Sequence, residues 1–255
     1  MAWLFPSDHF NVDQLPQPVV GIASRLVQHD SGWHRHGSGQ LLFAVAGSIR
    51  INLPNATSIL PPIRVAWIPS GTPHRVTIRS EVDYRSIYLD ERQVAPPFAG
   101  LAIVAMTPLL REVFERISFQ PFDTDWSQGA ARNLLAVCLD ELATARHEPM
   151  LLAVPSDPRL AQLDIEELPP ELGVLSQRVG ATSRTISRIF RRETGMSYQV
   201  WRQNWRLLRA VDLLASGLSV SRVASELGFA SDSAFIAFFR QMTGETPRRY
   251  MLREG

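Results

Sequence analysis

Lysine is absent from this sequence: all 26 basic side chains are arginine. Set against 25 acids over 255 residues they leave a formal charge of only +1, which taken whole excludes a polycation built to coat nucleic acid. Cysteine is almost absent. Cys138 stands alone in an apolar run with Leu134, Leu135, Val137 and Leu139, so there is no disulfide framework and no cysteine metal cluster, and the thiol reads as buried and inert. No window approaches the roughly eighteen consecutive apolar residues of a membrane span. The opening residues Met1 to Asp8 have neither a basic start nor a sustained apolar core, so the expectation is a cytoplasmic protein with no membrane partner. What is there, 45% hydrophobic and 20% charged residues, is the composition of a globular protein of one large or two ordinary domains.

The balanced charge conceals a division. Residues 171–255 hold 13 arginines against seven acids, a net of +6, whereas residues 1–170 hold 13 against 18, a net of −5. A basic C-terminal third suits a phosphate backbone, although an arginine-only set also reflects coding bias, so placement matters more than number.

From about residue 19 to 90 the chain reads as short strands. The segments 40–45, 48–53, 65–68, 75–78 and 84–89 are rich in branched and aromatic residues, with Gly47, Pro54-Asn55, Pro61-Pro62 and Pro69-Ser70-Gly71 between them. Strands so close, with no helix between, predict an antiparallel barrel or sandwich. Beyond Pro96-Pro97 the period becomes helical, over 108–117 and 128–146. A proline-containing stretch, 149–158, reads as a linker to a region without a convincing strand. The expected fold class is α+β: an antiparallel β domain over residues 1–100, a helical connector over 101–152, and an all-α domain over 153–255. Helix 128–146 is either a dimerisation element of a homodimer or a cover for the barrel.

The C-terminal domain repeats itself. Leu172, Leu175, Ser176, Val179, Gly180 and Ser183 recur 48 residues later as Val220, Val223, Ala224, Leu227, Gly228 and Ser231. After one inserted residue, Phe190, Arg191, Thr194 and Gly195 recur as Phe239, Arg240, Thr243 and Gly244. Each copy has an apolar helix, a glycine able to take a left-handed conformation, a short turn, and a serine placed to cap a second helix. That grammar is helix-turn-helix, twice. In the first copy Ile186, Ile189 and Phe190 face inward, leaving Ser183, Arg184, Thr185, Ser187, Arg188 and Arg191 for base edges and phosphates in a major groove. The second copy, more apolar, offers Ser231, Ser233 and Arg240, chiefly for packing and phosphate contacts. Between them, 198–215 predicts a connecting helix with an apolar stripe of Trp201, Trp205 and Leu208 beside a basic one of Arg202, Arg206 and Arg209, of which Arg202 and Arg206 are expected to meet DNA.

The run from Gly180 through Ser183, Arg188 and Phe190 to Gly195, followed by Trp201-Arg202, closely resembles the first motif of AraC-type transcriptional regulators. The run from Val223 through Gly228, Ser231, Phe235 and Phe239 to Pro247 resembles that family's second signature. The resemblance covers about residues 160–250. It implies two helix-turn-helix units on a connecting helix, entering successive major grooves of double-stranded promoter DNA. The stretch 157–180 is shorter than the family usually shows and contains Pro169-Pro170, which implies a truncated opening helix, with Pro170 starting the next.

A second constellation lies in the β domain: Trp33-His34-Arg35-His36-Gly37-Ser38-Gly39-Gln40, and Pro73-His74 farther on. Two histidines at i and i+2 on an extended chain point to one side, and Gln40 shares their parity on an unbroken strand. With His74 from another strand they form a candidate site for one divalent transition metal such as zinc, nickel or iron, or else a metal-free pocket for an organic effector. The spacing resembles the two cupin motifs, which implies a cupin or jelly-roll-like sensor barrel. Gln40 stands where that pattern has a glutamate ligand, and Ile78 where it has asparagine. His9, His29 and His147 fit neither motif and are expected at the surface.

Two functions follow. One is a transcription factor whose barrel senses a metal ion or small molecule and modulates promoter binding. The other is a metal-dependent cupin enzyme with an accessory DNA-binding tail, weakened by the lack of an acid beside the histidines to serve as a base. The first, a protein that is not an enzyme, is the expected one.

Overall fold

Branched and aromatic residues at alternate positions fold into short strands: β1 (Val19–Leu26), β2 (His29–Asp30), β3 (Gly39–Ala46), β4 (Ile49–Leu53), β5 (Ala56–Leu60), β6 (Arg64–Ile68), β7 (Arg75–Ile78), β8 (Val82–Leu89), β9 (Ala102–Ala105) and β10 (Leu152–Ala153). The computed structural model describes residues 3–5, 10–147, 151–160, 163 and 167–252. The chain divides into two units, one of residues 1–52, 60–149 and 251–255, the other of 53–59 and 150–250. The five expected strand segments appear as β3, β4, β6, β7 and β8.

In the first unit one antiparallel sheet has the order β1-β8-β3-β6-β9, and a second carries β4, β7 and β2 side by side. Register sorts the side chains. Gln40 lies opposite Tyr88, Leu42 opposite Ser86 and Ala44 opposite Tyr84, so Gln40, Tyr84, Ser86 and Tyr88 share one face. The alternate set, Leu41, Phe43, Val65, Trp67, Ile87 and Leu89, points the other way into the main core.

Helices α1 (Pro108–Ser118) and α2 (Gly129–Thr144) close that core. Thr107 caps α1 by accepting from Leu110 N at 3.0 Å, and Pro108 opens its first turn. Leu110, Val113, Phe114 and Ile117 are buried from α1; burial of each such side chain contributes about 1.5–3 kcal/mol. Gly21 permits the contact, because a Cβ there would lie 2.2 Å from the Ile117 carbonyl oxygen. Helix α2 is anchored less deeply: only Cys138 and Leu142 are buried, and Val137 is 39% exposed.

The second unit holds α3 (Leu172–Arg178), α4 (Ser183–Thr194), α5 (Tyr198–Ala215), α6 (Val220–Glu226), α7 (Asp232–Thr243) and α8 (Pro247–Leu252). The duplicated grammar is realised as α3-turn-α4 and α6-turn-α7. Gly180 and Gly228 both sit at positive φ, +62° and +68°, a region open to glycine at little cost. The caps differ by one residue. Ser231 caps α7 as expected, accepting from Ala234 N at 3.2 Å, but Ser183 does not cap α4. Thr182 takes that place, extended and accepting from Thr185 N at 3.2 Å, so Ser183 is the first helical residue. The repeat recurs in the core too: Phe190 packs on Tyr198 and Trp201, Phe239 on Phe235 and Tyr250.

Pro170 precedes α3 by two residues rather than starting it, Glu171 being the N-cap residue, and the Pro170 carbonyl instead accepts from the Tyr198 hydroxyl at 2.5 Å. The expected truncated opening helix falls largely on 161–162 and 164–166, outside the described residues. The stretch read as a linker is fastened to its own unit. Strand β10 pairs with β5, the Trp201 indole N–H donates to the Ala153 carbonyl at 2.6 Å, and Glu193 accepts from the N–H groups of Ser156 and Asp157 at 2.8 and 3.1 Å. Asp157 pairs in turn with Arg159 and Arg192.

Candidate functional site

His34, His36 and His74 come together as expected, by a route different from the expected one. The strand is broken: β3 begins at Gly39, and His36 lies in the loop before it. His34 instead exchanges both backbone hydrogen bonds with His74, at 3.0 and 2.9 Å, which seats the two rings with centroids 4.3 Å apart. One ring nitrogen from each of the three histidines lies within 4.8 Å of the other two.

The hydrogen bonds fix the tautomers. Nδ1 of His34 lies 3.1 Å from the Gly32 carbonyl, Nδ1 of His36 2.6 Å from that of Ser38, and Nδ1 of His74 2.8 Å from that of Thr72. A carbonyl only accepts, so each Nδ1 carries the hydrogen and each Nε2 presents a lone pair. His74 Nε2 is buried and has no hydrogen-bond partner. Burial favours the neutral form of two of the rings: it lowers the His36 pKa and takes that of His74 down to about 4.

Gln40 completes the group. Its amide Nε2 faces three hydroxyls, of Tyr84, Ser86 and Tyr88, at 3.2, 2.9 and 3.1 Å, which turns Oε1 toward His36 Nε2 at 3.3 Å. In that arrangement two lone pairs oppose each other, a contact that becomes favourable when a cation lies between them. Burial raises the Tyr88 pKa to about 12 and that of Tyr84 well above its usual value, so both phenols stay neutral. The three hydroxyls went unread in the sequence, although Tyr84, Ser86 and Tyr88 alternate within an otherwise apolar strand and so share one face.

Beside the cluster is a cavity of about 490 Å3, with His34 and Gln40 in its wall together with Phe10, Ile22, Leu26, Val76, Tyr84 and Tyr88. His29, expected at the surface, is half-buried and also lines it. His147 is exposed as expected, against Phe98, and His9 lies outside the described residues.

The other candidate surface is on the helices. Ile186, Ile189 and Phe190 of α4 are buried, and Arg184, Arg188 and Arg191, at i, i+4 and i+7, are exposed along another face. Among the described residues these three arginines make no ion pair, whereas the adjacent Arg192 is held by Glu193 and Asp157. Ser183 is exposed, and Thr185 and Ser187 are half-buried. On α7, Phe235 and Phe239 are buried while Ser231, Ser233 and Arg240 are exposed.

Comparison with known proteins decides the family. A model described as an AraC-like ligand binding domain matches residues 16–163, and one described as a helix-turn-helix domain matches 175–253. The chain is 30% identical over 251 residues to the HTH-type transcriptional regulator NimR of Escherichia coli, covering 96% of this chain and 86% of that one. This protein is a member of the AraC family of transcriptional regulators. The transcriptional activator NphR of Rhodococcus sp. is 24% identical over 98% of this chain and 83% of its own. Among solved structures, that of ToxT from Vibrio cholerae O395 covers 92% of this chain and 98% of its own at 9% identity, with a TM-score of 0.37.

In this AraC-family regulator the ligand-binding match contains the histidine cluster and most of the residues that line its cavity, and the helix-turn-helix match begins within α3 and runs through α8. Its relatives are regulators, so the reading as a cupin enzyme gives way to that of a DNA-binding regulator with a ligand-binding domain. Two of the arginines expected to meet DNA are engaged within the protein. Arg202 donates to the Pro169 carbonyl at 2.6 Å, and Arg206 stacks over the Phe229 ring at 5.1 Å, its pKa lowered first by burial and then by Arg202. No helix among the described residues is long and apolar enough to cross a membrane.

Proposed function

We propose that this regulator holds one divalent transition metal, such as zinc, nickel or iron, between the Nε2 atoms of His34, His36 and His74 and the Gln40 amide oxygen. We further propose that effector binding beside this site changes its affinity for promoter DNA. The observation that carries the reading is the set of three convergent imidazoles, each with Nδ1 tied to a backbone carbonyl, and with His74 Nε2 buried without a partner. Ligand histidines are commonly oriented in this way by outer hydrogen bonds. Three nitrogens and one neutral oxygen suit borderline metals, and three protein imidazoles leave room for a further ligand.

On the DNA side, Ser183, Arg184, Thr185, Ser187, Arg188 and Arg191 form the reading surface of the first unit. Ser231, Ser233 and Arg240 support it from the second, chiefly at phosphates. Arg202 and Arg206 add positive charge behind that surface and stiffen α5. The weakly buried α2, with Val137 outward, is the proposed contact in a homodimer. An effector alters transcription only if it binds the DNA-competent and incompetent arrangements with different affinity.

Elemental analysis of protein purified without an affinity tag tests the metal. Near-stoichiometric metal that is lost in a His34→Ala/His74→Ala variant is expected. A metal-free wild type refutes the site; the Gln40 amide would then be turned over, its NH2 donating to His36 Nε2 and the hydroxyls to its oxygen. Light scattering tests the homodimer, which a monomer at high concentration would exclude.

A further inference from the structure

We infer that the cavity beside the three-histidine site takes a small organic monoanion with an aromatic or branched apolar body, its anionic head at the metal and its body among Ile22, Leu26 and Val76. The inference rests on the metal reading above and adds the chemical class of the effector. Charge is the first argument. All four donors are neutral, so a divalent ion there keeps its full positive charge in a largely buried setting, where an unpaired charge is costly. Among the described residues the cavity wall supplies no free counter-charge. Its one carboxylate, Asp30, is already held by the Arg75 guanidinium and by the Gly32 N–H. The other carboxylate acting on the cluster, Asp13, accepts from the Gly37 N–H at 2.8 Å.

Shape and polarity give the second argument. His34 and Gln40 belong both to the donor set and to the cavity wall, so the cavity opens onto the metal position rather than lying elsewhere in the barrel. Its volume of about 490 Å3 falls in the range of small-molecule sites. The wall combines the neutral phenols of Tyr84 and Tyr88, which meet the Gln40 amide, with aliphatic Ile22, Leu26 and Val76, the ring of Phe10, and the polar Ser24, His29, Asp30 and Ser31. A ligand with one charged end for the donors and an apolar remainder matches the aliphatic and aromatic part of that wall.

The test uses the full-length protein loaded with cobalt(II), whose visible bands report its ligands, titrated with acetohydroxamate, benzohydroxamate and neutral benzamide. Both hydroxamates should shift the bands, with benzohydroxamate binding at least tenfold tighter, and benzamide should leave them unchanged at the same concentrations. A Val76→Trp variant, which fills the body of the cavity, should remove the benzohydroxamate advantage and keep the response to acetohydroxamate. Equal affinity of the two hydroxamates in the wild type overturns the apolar subsite, and an equal response to benzamide overturns the preference for an anion. Cobalt that binds stoichiometrically yet ignores all three probes leaves the metal reading standing and overturns this one. Failure to bind cobalt or zinc removes both.

Discussion

Arg188→Ala is the sharpest probe of the DNA-reading surface. The Arg188 guanidinium is exposed one turn beyond Arg184 on the outward side of α4, with Ile186 and Ile189 buried behind it, and it makes no ion pair among the described residues. Nothing among the described residues holds it back, so its removal should cost only what it contributes to DNA. A bidentate contact to guanine contributes about 1–3 kcal/mol of discrimination, or roughly 5- to 150-fold in affinity for the correct site. Arg191, farther from the N-terminal end that usually meets base edges, should behave as a phosphate contact: a loss uniform across sequences, and a salt slope shallower by about 0.9. Arg192 is the internal control. Paired with Glu193 and Asp157, it should change affinity by less than about threefold when replaced, in line with an exposed ion pair. Fluorescence anisotropy with the protein's own promoter fragment, at several salt concentrations, reads all three variants. Equal losses for Arg188→Ala and Arg192→Ala would refute the division of α4 into a reading face and a clamped one.

Three further predictions rest on other parts of the molecule. Metal-stripped protein given zinc at a hundred times its Kd should gain about 2.7 kcal/mol. For a domain of this size that is about 5–10 °C in Tm by scanning fluorimetry, a gain that should vanish in His36→Ala. Gly21→Ala drives a methyl group into the Ile117 carbonyl and should cost about 1–3 kcal/mol in urea unfolding; an unchanged midpoint would mean that α1 does not lie on β1 as described. Acid should loosen the helical unit. Asp157 is held below the usual carboxylate range chiefly by Arg159, and Glu193 chiefly by Arg192, so their stabilisation is complete above that range and is lost as pH falls through it. The wild-type Tm should therefore fall more steeply below about pH 4 than that of Asp157→Asn/Glu193→Gln, and parallel curves would remove the clamp from the account.

The features legible in the sequence were those with a local cause. Period-two runs located β3, β4, β6, β7 and β8, and the helix-turn-helix copies could be aligned because capping and glycine chemistry repeats at a fixed interval. Pairing order was not legible, since the β1-β8-β3-β6-β9 arrangement is fixed by contacts between segments far apart in the chain. The histidine site illustrates the difference. Its three histidines lie together, but their spacing in sequence puts His34, His36 and Gln40 on one extended strand with His74 on another, whereas β3 begins only at Gly39 and His34 is positioned by its bridge to His74, forty residues away. The shift of the α4 cap from Ser183 to Thr182 is the opposite case: two adjacent hydroxyl residues can each serve, and backbone geometry chooses between them.

Cys138 carries a consequence of its own. Its side chain is 1% exposed, within the core that α2 shares with α1 and the sheet, and burial pushes its thiol up to about 12. A thiol-reactive dye offered to the folded protein will therefore find almost no thiolate to attack. Labelling of the native chain becomes a clock for the departure of α2 from that core. A cysteine introduced on α4 would accept a fluorophore at that position alone, with the wild-type background already silent.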